Sequence, residues 1–207
     1  MIFIAILTFF IKRSDRIQEE GIEDFWTRER DAKLTRAVDI STLPYLNVPI
    51  EKFSFGTVES SDAKKLEEEI TSISKKPLIN LAGKTNTELM ETYGSPNLDA
   101  MKEIGEDFDR LTIALAAYGE VLFDSGHITE AITVLEYGVF IKSDVSKTYT
   151  VLCDCFDYLN QKRRIENLRS LVAPMNMIMT PVILAHIDGI LEKYSGEEDS
   201  EKENYEI

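Results

Sequence analysis

The sequence predicts a mainly α-helical protein, on three observations. A stretch running from Thr112 to about Val145 is echoed from Ser146 to about Met179, the two starts standing 34 residues apart. Outside this pair, apolar residues recur at helical spacing between recognisable start and stop signals. The 207 residues include only 10 glycines and 6 prolines, and 43% are hydrophobic, enough for one domain with a real core plus appendages.

Met1 to Ile11 is apolar throughout except for Thr8, and Lys12, Arg13 and Arg16 follow at once. As a helix this run spans about 16 Å, against about 30 Å for a bilayer core. No basic residue precedes it and no small-x-small cleavage site follows, so it does not read as a secretory signal. Three readings fit: a membrane anchor whose upstream residues are missing, an interfacial anchor, or a hydrophobic helix packed on the protein. Membrane attachment through Ile2, Phe3, Ile4, Ile6, Leu7, Phe9, Phe10 and Ile11 is the expectation, and the basic flank then keeps the bulk of the chain in the cytoplasm.

Residues 14–38 read as a solvated, charge-laced helix. Phe25 and Trp26 are its exceptions. They could dock at headgroup level or against the repeats, and the second is the expectation because roughly 20 residues of helix would carry them about 30 Å from the anchor. Residues 39–59 hold Pro44 and Pro49 among Leu43, Tyr45, Leu46, Val48, Ile50, Phe53 and Phe55. The prolines forbid a helix interior, and so much apolar surface must pack on something. An extended segment laid over helices is predicted. Residues 60–111 read as a helical cap. Ala63, Leu66, Ile70 and Ile73 mark one helix, Thr85 and Glu88 have capping-box spacing with Gly94 as the stop, and Ser95–Pro96 opens another helix with a break near Gly105.

Residues 112–195 carry the repeats. Leu115, Tyr118, Gly119, Leu122, Gly126, Ala131 and Leu135 fall at the spacing W-x2-L-G-x2-Y, x3-G, A-x3-F, with first-helix echoes at Tyr149, Leu152, Cys153 and Phe156, then at Ile183, His186, Ile187 and Ile190. This pattern resembles a tetratricopeptide repeat (TPR). The resemblance implies antiparallel helical hairpins, with Gly119 and Ala131 at the helix crossing and Gly126 or Asn160 ending each first helix. The second copy is degenerate, Arg169 standing where Leu135 stands in the first, and a helix from Thr180 and Pro181 to about Tyr194 covers the end. His186 is expected in the core. The first fifty residues also resemble uncharacterised membrane-anchored proteins of anaerobic Gram-positive bacteria, which implies no activity.

The TPR resemblance further implies a ligand groove along the first helices. Its positions are Ile113, Ala116, Glu120, Phe123 and Asp124, then Lys147, Thr150, Asp154, Asp157 and Tyr158, joined by Leu184, Asp188 and Leu191. With five carboxylates against one lysine the groove should be acidic, favouring a protein or peptide segment with Lys or Arg and apolar anchors. Alternatively, the Leu43 to Phe55 segment fills the groove itself.

The formal net charge of −14 and the lack of a basic stripe argue against a nucleic-acid partner. Residues 196–207 carry six carboxylates and one lysine and read as a disordered acidic tail. Cys153 and Cys155 point roughly 200° apart on one helix, which suits neither a mutual disulfide nor a shared metal. No phosphate loop, nucleophile elbow or zinc motif occurs, and carboxylate pairs such as Glu106 and Asp109 lack an evident apolar pocket, so neither an enzyme nor a cofactor is expected. The expected function is a non-catalytic interaction adaptor at the cytoplasmic face of a bacterial membrane.

Overall fold

The computed structural model describes residues 22–204, with side chains as far as Tyr194. The expected anchor, residues 2–11, lies outside the described residues, as do the side chains of the acidic tail. All regular structure among the described residues is helical. We number the helices α1 (residues 22–33), α2 (Ser61–Ile73), α3 (Asn86–Tyr93), α4 (Leu98–Asp124), α5 (Ile128–Phe140), α6 (Ser146–Tyr158), α7 (Lys162–Val172) and α8 (Thr180–Asn204). Contacts divide the chain into two units. One takes the residues up to Pro44 with Leu81–Glu103, the other Tyr45–Asn80 with the chain from Ile104 onward.

In the first unit α1 meets α3 through Arg28, which donates to both Glu91 oxygens at 2.6 and 2.7 Å, and through Glu29, which accepts from the Thr87 hydroxyl at 2.5 Å. Ala32 is buried one turn on. Phe25 and Trp26 precede this contact and are 55% and 56% exposed, packed edge to face with ring centroids 5.3 Å apart. The Thr85–Glu88 capping box forms as its spacing predicts, and Gly94 ends α3 at φ +89°.

The second unit shows why a 34-residue echo is written into the chain. Helix starts recur at that interval, Ile128 with Lys162 and Ser146 with Thr180. The ends of α4 and α6 also match. Gly126 (φ +82°) and Asn160 (φ +54°) are both left-handed. The amide of His127 donates to the Leu122 carbonyl at 2.9 Å, and that of Gln161 to Phe156 at 2.8 Å, satisfying carbonyls that a helix end leaves open. Glycine meets no steric cost there, and asparagine is among the best alternatives. At Gly119 a Cβ would come within 2.5 Å of the Leu135 side chain, so the small residue lets α4 and α5 approach closely.

One boundary differs from the sequence reading. Helix α4 runs through Gly105 without a break, because Ile104, Phe108 and Leu111 keep one buried stripe continuous and outweigh the roughly 1 kcal/mol that an interior glycine costs. Thr180 does more than open α8. Its hydroxyl donates to the Met175 carbonyl at 3.0 Å and accepts from the Met177 amide at 3.2 Å, tying down the α7–α8 connection.

The proline-bearing segment forms the far wall of this core. Val48 and Phe53 are buried. Phe53 lies 5.5 Å from the Tyr137 ring and Phe55 lies 5.4 Å from Tyr118. Tyr137 donates to the Asn47 carbonyl at 3.2 Å, and the Leu46 amide donates to Leu78 at 2.9 Å. Glu67 on α2 accepts from both the Tyr118 hydroxyl at 2.9 Å and the Gly56 amide at 2.8 Å, joining segment, α2 and α4.

Candidate functional site

The candidate site is the row of α4, α6 and α8 side chains that the repeat register picks out. Ile113 (59% exposed) and Tyr158 (67% exposed) are open apolar surface, and Asp124 is exposed with no ion-pair partner among the described residues. Phe123 is half-buried against the core, and the Thr150 hydroxyl bonds back to the Lys147 carbonyl at 3.4 Å. Ala116, which the register also assigns to the groove, is buried instead.

Most of the carboxylates are already engaged by side chains of the same chain. Lys147 Nζ lies 2.5 Å from Glu120. Asp154 lies 2.7 Å from His186 Nε2, and Asp157 lies 3.5 Å from Lys193 Nζ. The rising order of these pairs along both helices shows α6 and α8 running parallel. Asp188 is turned to another neighbour: Arg169 on α7 donates to its two oxygens at 2.5 and 3.2 Å. Its carboxyl is consequently held below the ordinary range, chiefly by that hydrogen bond.

The row is therefore not the five-to-one acidic groove that the register implies. Asp188 leaves it, while His186 and Lys193 enter. His186 is half-exposed rather than in the core, since the buried stripe of α8 is Ile183, Ile187 and Ile190. Each pair crosses between helices and is a third or more exposed on at least one side, which limits its worth to about 0–1 kcal/mol. The segment expected as an alternative occupant sends its Phe53 and Phe55 rings to Tyr137 and Tyr118.

Elsewhere, Asp107 is the charged group most removed from water among the described residues, gripped by Lys76 at 2.8 and 2.9 Å and approached by Arg110 at 3.4 Å. The Asp109 carboxyl is pushed up by burial first, then by Asp144 and Glu106. No group of three or more metal-ligating side chains occurs among the described residues, and none of their helices is long and apolar enough to cross a membrane.

Cys153 and Cys155 are free and buried, and burial, reinforced by Asp154, pushes both thiols up to about 12. At pH 8 the thiolate fraction of such a group is about one part in 10⁴, so neither should react with a disulfide reagent until the chain unfolds. An immediate stoichiometric reaction of the native protein would contradict this. Burial also raises the Tyr149 phenol to about 12. These groups are neutral in the folded state where the unfolded chain would ionise them. Their stabilising contribution is whole below about pH 9 and fades between about pH 9 and 12. A urea midpoint that falls from pH 8 to pH 10.5 is the expected result.

No family model matches the chain, and no curated protein or solved structure is significantly similar to it.

Proposed function

We propose that this chain is a non-catalytic adaptor, a TPR-like array tethered at the cytoplasmic face of a bacterial membrane by its apolar N-terminus, whose α4–α6–α8 row receives a basic segment of a partner protein. The observation that carries the reading is the combination of open Ile113, Tyr158 and Asp124 with half-exposed, exchangeable ion pairs at Glu120 and Asp157 and the Asp154–His186 contact between them. A partner's guanidinium can take the place of Lys147 or Lys193 at little cost, because the pair it displaces is nearly neutral in free energy. Its apolar side chains would rest on Ile113 and Tyr158, giving an anchor and charge recognition on one surface.

The test is capture from the bacterial lysate by wild type and by the Glu120→Lys, Asp124→Lys, Asp154→Lys, Asp157→Lys variant, with helicity checked by circular dichroism. Basic partners held by wild type should be lost. An unchanged set of partners would sink the groove and favour a structural subunit that meets its partners elsewhere. Fractionation of the full chain beside one starting at Ser14 checks the tether, and equal solubility of the two would refute it.

A further inference from the structure

Helix α7 departs from the charge of the chain. Lys162–Val172 carries Lys162, Arg163, Arg164 and Arg169 against the single carboxylate Glu166, in a protein of net charge −14. Each of the other described helices carries more acidic than basic side chains. Beside this helix lies an apolar cleft of about 290 Å³ between α5 and α7, floored by Leu152 and Phe156 of α6 and walled by Val139, Phe140, Leu168 and Leu171. Phe140 is 74% exposed and Leu171 is 42% exposed, so two large apolar side chains stand open beside it.

Arg164 fixes the polar end of the cleft. Its guanidinium lies 4.0 Å from the centroid of the Phe156 ring and donates to Glu136 at 2.7 Å and to Gln161 at 2.8 Å. Arg163, one turn before the cleft residue Asn167, is exposed and has no ion-pair partner among the described residues. The cleft is thus lined by one guanidinium, Arg164, and one carboxylate, Glu136, with Arg163 a helical turn from its edge, at the side of the only described helix with a net positive charge.

We propose that the α5–α7 cleft is a second docking surface and that its occupant is an acidic peptide segment of a partner protein, anchored by one large apolar side chain. The anchor would cover Phe140 and Leu171, which otherwise stay in water. Carboxylates beside it would meet Arg163 directly and Arg164 in exchange for Glu136, a planar fork suited to paired oxygens. Charge sets the choice of ligand: among the described helices α7 alone carries a net positive charge, which favours an acidic segment there. This surface uses the second helix of each hairpin and the opposite charge preference, so it stands independently of the basic-segment row on α4, α6 and α8.

The experiment is selection of random dodecapeptides displayed on phage against the full chain, followed by fluorescence anisotropy of the enriched peptides. The expected consensus is a Phe, Leu, Met or Trp flanked by Asp or Glu. Its binding should weaken at least about tenfold in Arg163→Glu and in Leu171→Asp, both surface changes that leave the fold intact, and stay unchanged in Asp124→Lys. Basic or uncharged consensus peptides, no enrichment at all, or binding that survives both α7-side variants would overturn the proposal. So would an acidic peptide whose binding follows Asp124 rather than Arg163.

Discussion

Phe53→Ala should cost about 3–5 kcal/mol of folding stability, the range for truncating a fully buried aromatic side chain. The ring is 1% exposed, although it belongs to a loop with no helix longer than the three-residue 3₁₀ turn Ile50–Lys52. Removing it leaves Tyr137, 5.5 Å away, without its neighbour and uncovers Val48 in the same cluster. Two terms add: the transfer of the lost ring to water and the cavity left beside Tyr137 and Phe55. Urea unfolding followed by circular dichroism gives the measurement, with Ile178→Ala, at a side chain 96% exposed, expected within about 0.5 kcal/mol of wild type. A loss under about 1 kcal/mol at Phe53 would mean that the segment is draped over the helices and not built into them.

That result matters because the helices α4 to α7 do not bury their own outer faces. Helices α4 and α5 with nothing in front of them would leave one apolar face open. Here α2, Leu78 and the Tyr45–Val58 segment close that face by covering Tyr118 and Tyr137, both of which use their hydroxyls on it as well as their rings. The need for such a wall is visible in the sequence, since Leu46, Val48, Phe53 and Phe55 are too apolar for a linker. Its partners are not, because Tyr137 and Asn47 stand 90 residues apart.

The same limit explains which parts of the candidate site could be read in advance. Gly126 and Asn160 announce their left-handed backbone through residue type alone, and the recurrence of Ser146 and Thr180 as helix starts follows from the interval. Charge pairing carries no such local signal. Asp154 and His186 are 32 residues apart, Asp157 and Lys193 are 36 apart, and which cation faces which carboxylate depends on the rotation of α8 about its axis. Arg169 marks the spot where the register fails to predict that rotation. In sequence it reads as wear on a core position, whereas in the fold it reaches Asp188 and draws that carboxylate to the α7 side. One residue outside the pattern thus accounts for the departure of Asp188 from the row.

Gly94→Ala should be the most damaging single-methyl change in the first unit, at about 3 kcal/mol or more, from conformation and overlap together. The residue sits at φ +89°, ψ 143°, a region that residues with a Cβ avoid. A Cβ there would also fall inside the van der Waals shell of the Arg36 carbonyl and within 2.6 Å of the Ala37 Cα. Those are main-chain atoms that no rotamer change can move aside. They are held in place by hydrogen bonds on either side, Val38 amide to Tyr93 carbonyl at 3.1 Å and Ser95 amide to Thr35 carbonyl at 3.2 Å, with Asn97 clamping the Val38 and Tyr93 carbonyls at 2.7 Å each. Gly126→Ala separates the two causes. Its φ is +82°, but nothing lies within 4 Å of the added Cβ, so only the conformational part, about 1–2 kcal/mol, should appear. Hydrogen exchange at the Val38 and Ser95 amides reports the damage locally: Gly94→Ala should strip their protection, and Gly126→Ala should leave it intact. Equal losses of stability from the two substitutions would show that the overlap relaxes freely and that only the dihedral angle matters at Gly94.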